Sequence, residues 1–474
     1  MQTFSVRKLH LILGPVLFAL CYYLLPSTLF ETAASRAAVG AVAWMAYWWL
    51  TAPIDYAVTA FLPIALNALF QICDMDEVIA NYASETILLL LGASIITVSW
   101  EETGLDRRIA AKFLNLIGNS LRKQVIFWFV LSTLLSAVLP NAVVCATITP
   151  IAVSMLRYIG EGDIEKSRVG SKILLAIAYA AGLGGLASPL GGAMNLVTVD
   201  YIQQLTGEEY MYIDWVVKFF PIMVVLLIIN LIFMVRDIKK NECLGGSKEY
   251  FQQEYEKMPK MTREEWISLL LFCVATIMAF TRQCYSDILP GLKPAYSFII
   301  CAIIAFFITR KENGEKLLHW NHVAKKVVWG LIYIFAGGMA AGTLINGSGA
   351  AESIGTAVAS MGITGGIAAV CIFITVPLLL SDVTSNTATA AVAIPIVTSI
   401  VQGLGQNPIP YIYIASIGVN LSYMLPTSIR AIPVGYGLSP KYMFKEGWKI
   451  TLLVIVFMTI TAWALMEYWP AFSE

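Results

Sequence analysis

Residues 135–142 read Leu-Ser-Ala-Val-Leu-Pro-Asn-Ala, and residues 380–387 read Leu-Ser-Asp-Val-Thr-Ser-Asn-Thr. The two stretches are 245 residues apart. In both, a proline follows nine residues after the shared asparagine, Pro150 in the first stretch and Pro395 in the second. Each stretch is a polar interruption inside apolar sequence, one in each half of the chain. This pairing predicts a membrane protein with two related, broken elements in corresponding positions.

The composition indicates a chain embedded in a membrane. Of its 474 residues, 58% are hydrophobic and only 13% are charged. A bilayer span needs about 20 predominantly apolar residues, and several apolar runs reach that length with their flanks. The runs are residues 9–25, 37–50, 58–72, 87–100, 173–190, 215–235, 266–280, 296–308, 327–345, 409–425 and 450–468. We therefore expect an all-α polytopic membrane protein with about 11 transmembrane helices.

Two further apolar stretches, 125–156 and 363–401, are interrupted by the paired motifs. We predict that they form re-entrant hairpins, at about 123–157 and about 363–402, each entering and leaving the membrane on one side.

The order of elements also repeats: span, hairpin, a span broken at 187–195 or 425–433, and a further span. Because the charge pattern opens the two hairpins on opposite sides, the repeat is predicted to be inverted. The expected division of the chain is 1–84 for N-terminal scaffold helices, 85–235 for the first half, 236–265 for a cytoplasmic linker, 266–326 for further scaffold helices and 327–474 for the second half.

Basic residues are concentrated in alternate connections, at 107–123, 157–172, 236–263 and 310–326. The other connections carry mainly acids, for example at 74–77. The positive-inside rule then predicts a cell-membrane protein with a cytoplasmic N-terminus and a C-terminus outside. The formal net charge of zero gives no reason to expect nucleic acid as a partner. The eight cysteines contain no Cys-x-x-Cys pair, so we expect no disulfide or metal framework.

The helix breaks indicate where chemistry takes place. In hydrocarbon every backbone N–H and C=O needs a partner, so a break persists only where something polar replaces the helical hydrogen bonds. Freed carbonyls bind cations, and helix N-termini attract anions. Ser385, Asn386 and Thr387 add two hydroxyls and a carboxamide, and Asn141 adds a second carboxamide. The alternative is that these groups only cap the hairpin helices.

These residues resemble the divalent anion:sodium symporter family of dicarboxylate, citrate and sulfate carriers. The resemblance rests on Thr-Ser-Asn-Thr-Ala-Thr at 384–389, on Pro-Asn-Ala at 140–142 and on the two breaks, and it extends over nearly the whole chain. It implies substrate contacts by Asn141, Ser385, Asn386 and Thr387. It implies a sodium site formed by Ser136, Asn141 and Gly191, and another formed by Ser381, Thr384 and Asn386. It also implies a homodimer in lipid, with a transport domain that moves like an elevator.

The chain departs from the family pattern at both halves. Pro140 and Ala142 replace the serine and threonine of the first tip, which removes two hydroxyls. The first break keeps the family's asparagine as Asn195, whereas the second break, at 429–432, loses both the asparagine and the prolines. Substrate contact at the first tip is therefore predicted to differ from that in the family.

Arg430 is the most informative residue of the second break. A charge at bilayer depth is costly and should face a polar cavity. With Pro426 and Thr427 beside it, its guanidinium is predicted to hold a substrate carboxylate. Alternatively it stands where relatives hold a sodium ion, or it pairs structurally with Asp382.

The sequence thus predicts a secondary active transporter of C4 or C5 dicarboxylates, coupled to sodium. The alternatives are a sodium-independent exchanger with Arg430 in place of a cation, or a carrier of tricarboxylates, sulfate or sulfonates. A channel would not need paired hairpins. An enzyme would need a general base near the tips, where Asp382 is the only acid, so we expect no enzyme activity.

Overall fold

The computed structural model describes residues 4–114, 120–161, 163–239, 242–256, 258–311, 313–327, 329–354 and 366–472. In these ranges the chain is helical and contains no β-strand beyond two isolated bridges. Residues 363–365 of the predicted second hairpin lie outside the described residues, as do 240, 241 and 257 of the predicted linker.

Twenty-two α-helices occur in the described part of the chain. The N-terminal group is α1 Phe4–Leu24, α2 Ala33–Thr51, α3 Tyr56–Thr59, α4 Leu62–Phe70 and α5 Met75–Ala80. The first half follows as α6 Glu85–Thr103, α7 Leu105–Leu114, α8 Leu121–Ser136, α9 Asn141–Tyr158, α10 Arg168–Gly185, α11 Ala193–Thr206 and α12 Tyr212–Val235. The middle of the chain forms α13 Ser247–Glu256, α14 Arg263–Phe280, α15 Pro294–Ala305 and α16 Trp320–Lys326. The second half is α17 Trp329–Gly347, α18 Gly366–Val383, α19 Asn386–Gly403, α20 Ile409–Asn420, α21 Ala431–Gly435 and α22 Pro440–Tyr468.

Hydroxyl side chains mark the start of several long helices. Thr32, Ser84, Ser167 and Thr262 each accept a hydrogen bond from the backbone N–H three residues on, at the N-termini of α2, α6, α10 and α14. Such caps satisfy one of the donors that a helix start leaves free. At α14 the side chain of Glu265 completes a capping box by accepting a hydrogen bond from the backbone N–H of Thr262. These local signals explain why the helices begin where they do.

The predicted all-α polytopic architecture is confirmed. Within the described residues, seven helices are long and apolar enough to cross a membrane, and three of the predicted spans correspond to shorter apolar helices. The outer faces of α12 and α22 expose large apolar side chains, including Ile228, Ile232, Leu452 and Ile460. Apolar surface of this extent fits contact with lipid tails.

Small residues allow the helices that begin the two halves to pack closely on their neighbours. A Cβ at Gly92 of α6 would lie 2.9 Å from the backbone of Phe298 in α15. A Cβ at Gly337 of α17 would lie 2.4 Å from the carbonyl oxygen of Ala60. Close backbone approach of this kind is how membrane helices gain packing energy without a hydrophobic driving force. As a result, α6 packs on α14 and α15, and α17 packs on the N-terminal helices α2 to α5.

The same pattern of helix contacts occurs in both halves. In the first, α10 packs against α8 and α9, and α8 also contacts α12. In the second, α20 packs against α18 and α19, and α18 contacts α22. Each half contains a glycine packed tightly against the backbone of a neighbouring helix. These contacts are Gly184 against Thr133 and Gly418 against Ile374. The repeated order seen in the sequence is therefore accompanied by repeated packing.

Candidate binding site at the two helix breaks

The first tip is the turn between α8 and α9. The helix α8 ends at Ser136, and α9 begins at Asn141 after a proline that provides no side-chain cap. The Ser136 hydroxyl donates to the carbonyl of Ala181 at 2.6 Å. The Ser188 hydroxyl, from the break after α10, donates to the carbonyl of Ala137 at 2.5 Å. The tip is thus connected by one hydrogen bond to α10 and by another to the break that follows α10.

The second tip is the turn between α18 and α19, and it is held in the same way. Ser385 caps α19 by accepting from the N–H of Ala388 at 3.1 Å. The Ser381 hydroxyl donates to the carbonyl of Val419 at 2.8 Å. The Thr427 hydroxyl donates to the carbonyl of Asp382, also at 2.8 Å.

The two sets of bonds correspond: in each half a serine at the tip donates to the helix before the break, and a hydroxyl of the break donates to a carbonyl of the tip. Ser381 is 245 residues after Ser136, and the acceptor Asp382 is 245 residues after the acceptor Ala137. Thr427 replaces Ser188 as the second donor. Both breaks contain a single turn of 3-10 helix, Pro189–Gly191 in the first half and Ser428–Arg430 in the second. The sequence repeat therefore extends to the hydrogen bonds that hold each break to its tip.

Backbone oxygens converge at the first break. A Cβ at Gly191 would lie 2.6 Å from the carbonyl oxygens of both Ser136 and Gly185. Asn195 donates to the carbonyls of Gly185 and Ser188, at 2.6 and 2.9 Å. The side-chain amide of Asn141 lies 3.6 Å from the position that a Cβ on Gly185 would take. Carbonyl oxygens around one point are the ligands that transporter breaks offer to a sodium ion.

Arg430 lies at the corresponding place in the second break, since it ends its 3-10 turn as Gly191 ends the first. Its side chain is buried, with 1% of the residue exposed. Its Nε donates to the Leu425 carbonyl at 3.0 Å. Nη1 donates to the carbonyl of Ser422 at 2.9 Å and also to the hydroxyl of that residue. Nη2 donates to the Ser381 carbonyl at 3.3 Å and the Thr427 hydroxyl at 2.9 Å.

All five N–H donors of this guanidinium are therefore used within the second half. The Ser381 carbonyl that receives one of them is the counterpart of the Ser136 carbonyl beside Gly191. Asp382 lies within electrostatic range of Arg430 but forms no ion pair with it among the described side chains. Instead, its Oδ1 accepts from the N–H groups of Met424 and Leu425. This arrangement favours the ion-replacing interpretation of Arg430 over simple pairing.

The second tip presents a donor with no partner. Asn386 is 3% exposed, and its Oδ1 accepts from the Ser422 hydroxyl at 3.5 Å. Its Nδ2 is buried without a hydrogen-bond partner. A buried amide N–H2 without an acceptor is costly, so such a group in a polar interior suits an anionic ligand. Oδ2 of Asp382, near the end of α18, is likewise buried without a hydrogen-bond partner.

The two halves meet at these breaks. Asn420, the last residue of α20, donates to Asn195 Oδ1 at 2.9 Å, and Thr198 donates to Ser416 at 3.0 Å. The helix α9 packs against the second break, and α19 packs against α11, which follows the first. The thiol of Cys145 on α9 reaches the carbonyl of Ile429 at 3.5 Å. Asn141 and Asn386, at the N-termini of α9 and α19, thus belong to two elements that each pack on the other half.

Cavities flank the two hairpins in corresponding positions. One of about 510 Å³ lies between α9, the α6–α7 corner and α13, and includes Glu101 and Arg107. One of about 450 Å³ lies between α19, the end of α17 and α11, and includes Asn346 and Glu352. Asn346 and Glu352 follow Glu101 and Arg107 by 245 residues, so the two cavities are related by the repeat.

Smaller spaces adjoin the tips themselves, and these differ between the halves. The space at Leu135 and Leu139 has about 20 Å³, whereas the one at the counterparts Leu380 and Thr384 has about 300 Å³. Beside the first tip, little free space lies against α6 and α7. More space lies beside the second tip, between α19, α1 and α2, although Met45 and Trp49 of α2 pack with Ala388 and Ala391 of α19.

The remaining predicted site residues lie in the same region. Thr384 donates to the Leu380 carbonyl and shares a hydrogen bond of 2.7 Å with Thr389. Pro426 belongs to the extended segment before the second 3-10 turn, next to Thr427, and both are half-buried. Thr387 is buried in the first turn of α19. Their roles in binding remain predictions.

Sequence reasoning missed two contributors to this site. Asn420 joins the halves through Asn195, and Ser422 contacts both Arg430 and Asn386. Their only sequence signal is a polar residue near the end of an apolar run, which many surface positions share. His322 hydrogen-bonds Glu102 in a charge cluster completed by Lys326.

The sequence of this chain matches a known protein family. The family profile for citrate transporters, CitMHS, matches residues 46–418. The chain belongs to the citrate transporter family. As a member of this family, the chain is a multi-pass membrane transporter. The match also confirms the predicted kinship with the divalent anion:sodium symporters.

Curated relatives of this citrate transporter family member match over nearly its whole length. The sodium-dependent dicarboxylate transporter SdcS of Staphylococcus saprophyticus is 28% identical over 485 residues, which cover 98% of this chain and 92% of the relative. SdcS of Staphylococcus aureus strain MRSA252 is 28% identical over 483 residues, with the same coverage.

Solved structures of transporters share the fold. The YdaH transporter of Alcanivorax borkumensis superimposes with a TM-score of 0.54 at 11% identity, over 83% of this chain and 88% of its own. MtrF of Neisseria gonorrhoeae, from a class of antimetabolite efflux pumps, gives a TM-score of 0.54 at 12% identity, over 96% and 97% of the two chains. At these identities the likeness shows the fold alone.

Proposed function

We propose that this family member is a secondary active transporter of small dianions, specifically C4 or C5 dicarboxylates, coupled to sodium. The observation that carries the proposal is the pair of tips and breaks with the same hydrogen bonds in both halves. The substrate lies between the tips, where the unpaired amide of Asn386 donates to one carboxylate. The N-termini of α9 and α19 add positive dipole ends to the same space.

We propose that sodium binds in the first half. The carbonyls of Ser136 and Gly185 face one point beside Gly191, and Asn141 is adjacent. A cation there offsets part of the charge of the dianion, which would otherwise be costly to carry through low dielectric. The sodium-dependent naming of the SdcS relatives supports this coupling.

A second candidate function is supported by Arg430. Because its five donors are satisfied by oxygens of the second break, it supplies a permanent cation at the place corresponding to Gly191. A fixed positive charge hinders return of the empty carrier, since that charge then crosses the membrane without a dianion. In this version the protein exchanges one dicarboxylate for another and needs sodium less or not at all.

For the mechanism, we propose elevator-type alternating access in a homodimer. The moving domain contains the two hairpins with α10, α11, α20 and α21, and the scaffold contains α1 to α6 and α14 to α17. The unequal spaces beside the tips, about 20 and about 300 Å³, support this proposal, since they leave more room for movement at the second tip than at the first. We further propose a cytoplasmic N-terminus, an outside C-terminus and an inverted repeat, on the charge pattern of the connections.

Uptake into proteoliposomes tests both candidates. Purified protein is reconstituted, and entry of radiolabelled succinate is measured with an inward sodium gradient, or with potassium in its place. A second set of vesicles is preloaded with unlabelled succinate. Symport predicts net uptake into empty vesicles only with sodium, whereas exchange predicts uptake only into preloaded vesicles, with sodium having little effect.

Competition defines the substrate. Unlabelled fumarate, citrate, sulfate and a small sulfonate are added in excess during uptake. The dicarboxylate assignment predicts that fumarate competes best. If sulfate or citrate displaces succinate more strongly, the substrate class is one of the alternatives, and absence of succinate uptake in every condition refutes the proposal.

A further inference from the structure

A carboxylate in the interior is not used by the proposed mechanism. Asp200 lies on α11, one and a half turns after Asn195 of the first break, and only 9% of it is exposed. Its Oδ1 accepts from the Thr86 hydroxyl on α6 at 3.3 Å. Its Oδ2 accepts from the amide of Gln204 at 2.6 Å. Both partners are neutral.

Within the described part of the chain, Asp200 belongs to no ion pair. The helices α17, α19 and α20, which also pack on α11, contain no Asp, Glu, Lys, Arg or His. The titratable and charged groups around it are Glu85 on α6 with its partners Lys293 and Tyr296, Glu209 with its partner Arg282, Tyr212 on α12, Tyr201 next in sequence and Glu352 beyond α17. The two cations in this set are already paired with Glu85 and Glu209.

The hydrogen bond of Asp200 with Thr86 connects α11 to α6. If α11 moves with the transport domain and α6 belongs to the scaffold, the Thr86–Asp200 hydrogen bond crosses the sliding surface. The hydrogen bond between Tyr201 and Asn346 of α17 crosses the same surface. Moving α11 separates Asp200 from Thr86 and leaves an ionised carboxylate with one neutral donor. An unpaired charge in this environment is strongly disfavoured, whereas a protonated carboxyl is not.

Water can reach this group. Gln204, the second partner of Asp200, lines the open cavity of about 450 Å³ behind α19. On the other side, Thr86 lines a small cavity of about 30 Å³ together with Glu85 and Glu209. A space of that size is enough for one water molecule with polar neighbours. Water in these cavities therefore contacts both hydrogen-bond partners of Asp200, and protons can approach the carboxylate past either of them.

We infer that Asp200 is a proton-binding site, and that it must be protonated for α11 to slide past α6. The inference rests on the proposed transport function, to which it adds a proton-controlled step. No covalent chemistry is involved: a proton from water binds the carboxylate before the movement and leaves after it. The ionised form is held by Thr86 and Gln204, and it locks the state seen in the structure.

Uptake measured against pH tests the inference. Fumarate is used because both of its carboxylates stay ionised across the range, and pH is set equal on both sides with sodium held constant. The expected uptake by the unaltered protein rises as pH falls from about 8 to about 6, with the slope of a single proton. Asp200→Asn, which imitates the protonated form, should be independent of pH. Glu208→Gln, at an exposed acid eight residues later, should keep the original pH profile.

A second variant protects the test against misfolding of Asp200→Asn. Thr86→Val removes a hydrogen bond that favours the ionised carboxylate, so the midpoint of the pH profile should move to higher pH. Infrared difference spectra of the purified protein provide a readout that needs no transport. A carboxylic acid C=O band should appear between about pH 8 and about pH 6, and it should be missing in Asp200→Asn.

The outcomes are separable. Absence of fumarate uptake at any pH counts against the proposed function, and the infrared band then decides the proton site alone. If uptake is independent of pH in the unaltered protein, or if Asp200→Asn keeps its pH profile, the inference is overturned. The inference also fails if sodium, at constant pH, removes the infrared band, since Asp200 would then hold a metal cation.

Discussion

Replacing Arg430 by glycine should turn the second break into a sodium-responsive copy of the first. The substitution places at this position the residue that Gly191 provides in the first half. It removes five hydrogen bonds, including those to the carbonyls of Ser422 and Ser381, while the Leu425 carbonyl keeps the N–H of Thr427 at 2.8 Å. Those oxygens then face a space of the kind that a cation fills.

The expected energies follow from the contacts. Hydrogen bonds to a charged group contribute about 1.5–3 kcal/mol each, but the five share one group and are not additive. Each buried carbonyl that loses its donor costs about 1–3 kcal/mol, so for the carbonyls of Ser422 and Ser381 together we expect Arg430→Gly to lose about 3–5 kcal/mol in sodium-free buffer. A ligand at one hundred times its Kd restores about 2.7 kcal/mol, so saturating sodium should recover half or more of the loss.

The assay is thermal unfolding of the purified protein in sodium chloride and in potassium chloride of equal concentration. The Tm difference between the two salts should be larger for Arg430→Gly than for the unaltered protein, in which only the first break responds. Arg430→Lys is the matched control: it keeps the charge with three donors instead of five, so its Tm should fall without an added sodium response. Equal sodium-dependent Tm differences for Arg430→Gly and the unaltered protein would refute the correspondence of the two breaks.

Three further predictions concern the same interior. Gly191→Ala places a Cβ 2.6 Å from two backbone oxygens, so the sodium-dependent Tm increase should be lost, whereas Gly245→Ala, in open space, should leave it unchanged. Asn386→Asp replaces a free donor by a second negative charge and should abolish succinate binding in calorimetry, while Asn386→Ala should weaken it about tenfold or more; unchanged affinity in Asn386→Ala would contradict the proposed contact. Asn195→Ala removes three hydrogen bonds, two donated to the carbonyls of Gly185 and Ser188 and one accepted from Asn420, and should lower stability by about 1–3 kcal/mol in denaturant unfolding, with a double variant Asn195→Ala, Asn420→Ala less than additive.

Local signals in the sequence account for much of the fold. Breaks at 187–195 and 425–433 were predicted because proline and glycine interrupt apolar runs, and the structure places 3-10 turns inside both ranges. The two tips were predicted because polar residues at membrane depth must be shielded from lipid. The short helices α3 and α4 in place of one span at 58–72 follow from Pro63 at the start of α4, a local effect that an apolar average conceals.

The site itself was predicted only in part. Asn386 was identified because the tip motif is a continuous run of polar residues, and its buried, unpaired amide agrees with a binding role. Asn420 and Ser422 were not identified, because a single polar residue at a helix end usually caps that helix. Their partners, Asn195 and Arg430, come from segments that only folding brings to them.

The order of apolar and polar residues determines the membrane embedding, the helical class and the two-fold repetition. It does so because hydrocarbon imposes a length and a hydrogen-bonding requirement on each segment separately. The role of Arg430 depends on which oxygens surround its guanidinium. Whether protons can reach Asp200 depends on the cavities near it. Those neighbours are contributed by α6, α18 and the segment after α20, which are far apart along the chain. The free energy of a charge at membrane depth depends on such neighbours rather than on the residues next to it in sequence. Only the folded arrangement could therefore decide these roles.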